Sequence, residues 1–296
     1  LAHIGKKETD MEEYLIKRIL VPIDFSTISL HSLHHAERIA TRTRAHIRLL
    51  NVVEQYVDTI GADPSMIAPA MDIQRKVQAG NSKALEKIAH AARKRSNLQV
   101  DAGVRVGRIA ATISRTARDT HADLVIMGTH GASGFVERLL GSTTYRVAGI
   151  SKIPILSVHK RLRSNRYSNL IYPVRERAQA MEKFPHALTF ASLFNTRVHV
   201  VGHLPAGNKP LAEKIRALCV LIEKKFAELG LATKRAFTTS DEFAETIIRY
   251  ANVYSSSLVV IMQDHDFRLV DIFRGSFTKK MLHKVLSPVL TVPSRK

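Results

Sequence analysis

A strand–helix alternation that passes once through residues 18–158 and again, element for element, through residues 170–292 narrows the folds open to this chain more than any other feature. Short apolar runs separated by helical stretches demand a parallel sheet covered on both faces, because parallel neighbours need crossovers and the helices supply them. In the first pass strands are read at 18–24, 47–53, 100–106, 123–127 and 154–158, with helices over about 28–44, 71–96 and 110–120 and from 142. The second pass places strands at 170–174, 198–204, 233–238, 258–262 and 288–292. Its helices end near 194, cover about 210–229 and 241–252, and start again at 276. Local matches mark a duplication: Val21-Pro22-Ile23 with Tyr172-Pro173-Val174, Val125-Ile126-Met127 with Val260-Ile261-Met262, and Gly141-Ser142 with Gly275-Ser276. The expected architecture is α/β, two consecutive doubly wound, five-stranded parallel-sheet domains of Rossmann-like type. Their spans are 1–160 and 161–296, with the boundary near 160–168. Residues 1–10 precede Met11 and the first strand pattern; they are read as an upstream extension or an appended remnant and set aside.

A length of 296 residues suits two domains of ordinary size. No apolar run reaches the roughly 20 residues that cross a bilayer, and the first residues lack the pattern of a secretory signal, so a cytoplasmic location without a transmembrane segment is expected. The single cysteine, Cys219, lies on an apolar helix face and is read as a buried structural thiol in a reducing compartment. The net charge of +19 raises nucleic acid or an anionic membrane surface as partners. Its spread argues for a solvated basic surface instead: residues 1–160 carry 23 Lys and Arg against 15 Asp and Glu, and residues 161–296 carry 22 against 11. The one tight cluster, Lys160, Arg161, Arg163 and Arg166, falls in the linker and lacks interleaved aromatics.

In a doubly wound sheet, ligands bind beyond the carboxyl ends of the strands, where the crossover direction switches. There the first copy carries a loop running from Gly128-Thr129-His130-Gly131 to Gly141-Ser142-Thr143-Thr144. Glycines let backbone N–H groups approach an anion closely. A helix opening at Ser142, with two further hydroxyls beside it, offers unpaired donors and a partial positive charge to a phosphate. Helix capping by Ser142 and simple chain turning at the glycines explain the same residues structurally.

The spacing of Gly128, Gly131, Gly141 and Ser142 after a strand ending in Met127 resembles the nucleotide-binding signature of the universal stress protein family, in its ATP-binding subgroup. The first strand with Val21-Pro22-Ile23-Asp24-Phe25-Ser26, Asn51-Val52-Val53 closing the second, and Ile153-Pro154-Ile155-Leu156-Ser157-Val158 in the last share that likeness. It covers residues 17–160, and the second half resembles the family more faintly. The resemblance implies that Pro22, Ile23 and Asp24 hold the adenine end of a nucleotide and that Val52 lines the adenine pocket. It also implies that Met127 and Gly128 sit beside the nucleoside, that Gly131 approaches the phosphates, and that Gly141, Ser142, Thr143 and Thr144 hold the triphosphate tail with a divalent metal, Mg being the usual one. ATP is the implied ligand and AMP the alternative. Ile23 departs from the small or hydroxylated residue frequent at its position, and Asp24 has a rival role as a turn or cap with Ser26.

In the second copy Arg175, Gln263 and Asp266 replace Asp24, Gly128 and Gly131, and one residue is missing before Gly275-Ser276. No ATP is expected there. Because the surrounding pattern survives these replacements, the glycines of the first copy read as required by a ligand rather than by the fold. The resemblance implies pairing through last strands, so the second copy is expected to act as a built-in partner, with homodimerisation a further possibility.

Among the other chemistry-bearing residues, His31, His34 and His35 open the first long helix; His31 and His35 share a face but lack a third metal ligand, so a solvated face is expected. His130 lies in the glycine loop, where phosphate contact or slow hydrolysis is an alternative to an ordinary loop position. His199 and His203 read as packing or surface residues. Glu137 and Arg138 lack a spacing that demands catalysis. No lysine-bearing phosphate loop is present, and no catalytic residue is assigned. Nucleotide binding is therefore favoured over a slow ATPase or nucleotidyl-transfer activity, and over a basic protein that docks nucleic acid or membrane.

Overall fold

The computed structural model describes residues 13–54, 64–129, 142–159, 167–175, 180–254, 257–263 and 277–294. The first half contributes β1 (Arg18–Pro22), α1 (Thr27–Thr43), β2 (His46–Val53), α2 (Pro64–Ser96), β3 (Val100–Val106), α3 (Ile109–Asp119), β4 (Leu124–Thr129), α4 (Ser142–Ile150) and β5 (Ile155–His159). The second contributes β6 (Asn169–Val174), α5 (Phe184–Phe194), β7 (Arg197–His203), α6 (Lys209–Glu228), β8 (Thr233–Thr238), α7 (Phe243–Val253), β9 (Ser257–Met262), α8 (Phe277–Lys284) and β10 (Val289–Val292).

Alternation along the strands sends side chains into two cores. Ile19, Val21 and Ile126 point to the face covered by α1, α2, α5 and α6, with Leu33, Leu85, Phe190 and Phe226 packed there. Leu20, Val125 and Met127 point to the other face, under α3, α4, α7 and α8, with Ile113, Val147, Ile247 and Met281. Such two-sided burial explains why the strands read as continuous apolar runs rather than alternating ones.

The two halves do not form separate sheets. All ten strands join in the order β3-β2-β1-β4-β5-β10-β9-β6-β7-β8. Neighbours are parallel within each half, and β5 and β10 meet antiparallel. Leu156 stands opposite Leu290, its own counterpart in the duplication, as a local two-fold relation requires. Ser157 Oγ donates to the Val289 carbonyl at 3.1 Å. Contacts away from the sheet tie the halves further: Thr189 Oγ1 donates to the Tyr14 carbonyl at 2.7 Å, and the Gln263 side-chain amide donates to the Gly149 carbonyl at 2.8 Å.

Three expectations change. α2 begins at Pro64 rather than near 71 and runs through Pro69. Pro64 takes the first helical position, where a missing donor is tolerated, whereas Pro69 lies past the first turn and removes one i→i−4 hydrogen bond. β4 extends to Thr129, so Gly128 is a strand residue paired with Val158, not the start of a loop. The histidine face of α1 is not wholly solvated: His35 is 4% exposed, and its Nδ1 lies 2.6 Å from the Tyr167 hydroxyl. Tyr167 stands edge-on to Phe194 of α5 at 4.7 Å, and burial holds the His35 imidazole down at about 4, hence neutral. A pattern read within one half has no means of showing a helix face covered by the other. Among the described residues no group of three His, Cys, Asp or Glu is arranged to hold a metal, and no helix is long and apolar enough to cross a membrane. Cys219 is buried, and its thiol is pushed up to about 12. The cluster at Lys160, Arg161, Arg163 and Arg166 lies outside the described residues.

Because Leu290 is fully buried at the seam, Leu290→Ala is expected to lower stability by about 2–5 kcal/mol, the range for a buried leucine whose site cannot collapse. Urea denaturation followed by circular dichroism measures it; a loss under about 1 kcal/mol would mean that the seam contributes little.

Candidate functional site

β1 and β4 lie side by side at the centre of the first half, and the chain leaves them for opposite faces of the sheet: α1 follows β1 onto one core, α4 follows β4 onto the other. The divergence opens a cleft of about 210 Å³ at the carboxyl ends of the strands. Eight of the eleven residues expected at a ligand site line it: Pro22, Ile23, Asp24, Val52, Met127, Gly128, Thr143 and Thr144. Ser142 opens α4 through its backbone, and Gly131 and Gly141 lie outside the described residues, as do His130, Glu137 and Arg138. The structure adds Ser26, Ile28, Ser29, Leu50, Asn51, Ile109 and Ile113. Of these, Ile109 and Ile113 recur at helical spacing, a signal that reads equally well as ordinary core.

The floor of the cleft is cross-linked by side-chain amides. Asn51 Nδ2 donates to the Ile23 carbonyl at 2.8 Å, and its Oδ1 accepts from Asn81 Nδ2 at 2.9 Å, joining β1, β2 and α2 at the point where β1 ends. Asp24 stands at the rim. Its Oδ1 accepts from the Ser26 backbone N–H at 3.0 Å and from Ser26 Oγ at 2.6 Å, while Ser26 caps α1 by accepting from the Ser29 N–H at 3.2 Å. Burial alone would raise the carboxyl, but these hydrogen bonds, with that of Ser29, outweigh it and hold Asp24 below its ordinary value. The aspartate is thus both a turn anchor and an exposed anionic acceptor. The turn is tight enough to put Phe25 at φ 65°, in the left-handed region.

Two residues change meaning. A Cβ on Gly128 would stand 2.2 Å from Ile28 Cγ2 and 3.0 Å from the Ile28 carbonyl oxygen. The first turn of α1 therefore requires glycine there whatever binds, which corrects the reading of that glycine as serving a ligand alone. Gln263 is tolerated at the matching position because α5 begins only at Phe184, well after β6 ends at Val174, whereas α1 follows β1 closely. Thr144 is 3% exposed, and its hydroxyl donates to the Gly128 carbonyl at 2.9 Å. Thr278, its counterpart, also donates to the end of the preceding strand, to the Met262 carbonyl at 3.5 Å and one residue earlier in the alignment, in the half whose loop is degenerate, so this hydroxyl serves the fold. Thr143, partly exposed, remains as the threonine facing the cleft.

Sequence reasoning missed Lys183. It is 3% exposed and bridges β6 and β9, donating to the Pro173 carbonyl at 2.6 Å and the Val260 carbonyl at 3.0 Å, with its ammonium 4.3 Å from the Tyr172 ring centroid. This is the second half's own switch point. Burial, and then the charge of Arg175, bring the amine down to about 7. His199, fully buried, lies between Tyr250 and Asn169, and the His203 ring stacks on Phe243, as the packing role expected for both implies.

Comparison with known proteins follows the same division. The sequence model of the universal stress protein family matches residues 15–159. Universal stress protein MJ0531 of Methanocaldococcus jannaschii is 30% identical over 152 residues, covering 50% of this chain and 85% of that protein. Universal stress protein MJ0577 of the same organism is 27% identical over 157 residues, covering 50% of this chain and 97% of that protein. The crystal structure of a universal stress protein from Archaeoglobus fulgidus covers 93% of this chain and 98% of its own, with a TM-score of 0.73 at 15% identity; that likeness speaks to the fold.

Two outcomes follow. Gly128→Ala is expected to cost about 1–3 kcal/mol by overpacking against Ile28, read as a shift of the denaturation midpoint, and an unchanged midpoint would show that α1 yields freely. Lys183 is protonated in the unfolded chain up to its ordinary value of 10.5 but neutral in the folded one down to about 7, so stability falls as pH is lowered from 10.5 towards 7 and levels off below. Lys183→Met should remove that slope in denaturation curves taken across the window; a variant with the parent's slope would contradict it.

Proposed function

Since the chain belongs to the universal stress protein family, we propose that residues 1–160 form a domain that binds one adenine nucleotide, ATP with AMP as the alternative, in a regulatory or stress-response role. Residues 161–296 form a second domain that serves as its built-in partner. The observation that carries this reading is the composition of the cleft at the β1/β4 switch point. Ile23, Val52, Ile109, Ile113 and Met127 offer an apolar slot suited to a planar base, and Asp24, Asn51 and Thr143 set polar groups around it. An exposed carboxylate held ionised by Ser26 suits the hydroxyls and amino group of a nucleoside, which donate hydrogen bonds.

No lysine or arginine lines the cleft among the described residues, so what lines it fits the base and ribose end. The phosphates would extend towards Gly131, Gly141 and the opening of α4 at Ser142, where glycine backbone and helix N–H groups offer the donors. A Mg ion would arrive with the triphosphate and neutralise part of its charge. The nearest side chains supply recognition rather than a base and nucleophile in line, which favours nucleotide as a signal or stabiliser over turnover. The antiparallel pairing of β5 with β10 supports the partner role of the second domain. A reducing, cytoplasmic setting suits the free thiol of Cys219.

The reading is tested by releasing any co-purified ligand with denaturant for mass spectrometry, then titrating ATP, AMP and adenosine into the stripped protein. Saturable binding of one equivalent is expected, and no binding at millimolar concentration would end it. Asp24→Ala should weaken binding by roughly 10- to 100-fold, the worth of a hydrogen bond to a charged group. Asp24→Asn, which keeps an acceptor for Ser26, separates the lost charge from a lost turn.

A further inference from the structure

The second half keeps the frame of the first-half cleft and fills it with its own side chains. Strand register carries the correspondence. Val21 pairs with Leu49 and its counterpart Tyr172 with Val200, so Val52 on β2 matches His203 on β7. α3 opens at Ile109 and α7, of equal length, at Phe243. Gly141-Ser142 aligns with Gly275-Ser276, so the residues that follow, Thr143 and Phe277, correspond. Asp24 matches Arg175. Each of these four cleft residues is therefore replaced by a planar group.

The four planar groups form a column. The His203 ring lies on Phe243 with centroids 5.1 Å apart and 29° between planes. Phe243 lies on Phe277 at 5.7 Å and 15°, and the Arg175 guanidinium caps the Phe277 ring at 4.3 Å. Near-parallel rings closed by a guanidinium are the environment that proteins offer to a stacked base, because every base presents a π-face to such a platform. At the carboxyl ends of β6 and β9, Lys183 bridges the carbonyls of Pro173 and Val260.

We propose that this column acts as an intramolecular ligand: the second half retains a nucleoside-binding cleft, and His203, Phe243, Phe277 and Arg175 occupy the place of the base. The chain then takes one nucleoside because the other cleft is already filled, not because the second half has lost the architecture that binds one. This rests on the reading of the first-half cleft as the base and ribose site. Asp266 replaces Gly131 and one residue is missing before Gly275-Ser276, so the phosphate end is lost and the retained part of the site is the nucleoside end. Adenosine, rather than ATP, is therefore the probe.

The full-length chain carrying His203→Val, Phe243→Ile, Phe277→Thr and Arg175→Asp installs the first-half residues at all four positions. Equilibrium dialysis with labelled adenosine should count two equivalents per chain against one for the parent, the new one with slowed hydrogen exchange in β6, β7 and α7. A folded variant that still holds one equivalent overturns the proposal. Phe277→Ala, a milder change that leaves a ring-sized gap, guards against misfolding of the fourfold variant. Adenine should raise its melting temperature more than that of the parent, and equal shifts would count against the column as a surrogate base. If the parent takes up no adenosine, the first-half reading fails; the column is then judged on whether the fourfold variant goes from none to one.

Discussion

A parallel sheet ends in strands whose outer edges need a partner, and in this protein the two most buried edges satisfy each other. Every residue of β5 and of β10 is buried, so either strand left at an edge would expose apolar side chains and unpaired backbone groups. Their antiparallel pairing meets both needs at once, and it sets two consequences that the remaining structure follows. The strands of the two halves run in opposite senses, so their carboxyl ends face opposite ends of one sheet. The helices of both halves also share faces, which gives continuous cores on either side and brings α1 within reach of Tyr167 and α5.

Within that common frame the two copies have diverged by changing how closely a helix follows a strand. α1 starts soon after β1 and presses Ile28 onto β4, which demands Gly128 and leaves an open slot beside it. α5 starts later, which relaxes the demand for glycine at Gln263 and lets Lys183 reach into the gap between β6 and β9. A buried ammonium with carbonyl partners and an aromatic face is satisfied without a carboxylate, though burial shifts its protonation towards the neutral range. The hydroxyl of Thr144 and that of Thr278 persist in both copies because they join a helix to the end of a strand, a need that both halves share.

Much of the fold was legible because hydrophobic period reports burial directly. β3 and β8 fall at the residues that periodicity gives, and the other strand ends differ from it by only a residue or two. Much of the candidate cleft was legible for a different reason: a doubly wound order places it at the carboxyl ends of the strands, and the family resemblance pointed to Pro22, Asp24, Val52, Met127 and Thr143, which line it. Illegible were the positions whose role depends on a neighbour far along the chain. His35 looks like any helical histidine until Tyr167 covers it, and Lys183 looks like a surface lysine until two strand carbonyls surround its amine.

From sequence alone came the duplication, the alternation of strands and helices, and the asymmetry between an intact loop and a degenerate one, since each is written in local order and composition. Tertiary structure alone decided that Gly128 answers to Ile28 as well as to any ligand, and that His203, Phe243, Phe277 and Arg175 stack on one another in the second half. Those outcomes depend on register, on the length of chain between a strand and its helix, and on contacts between residues far apart in sequence. No local pattern encodes such distances, because packing chooses among many arrangements that share the same periodicity.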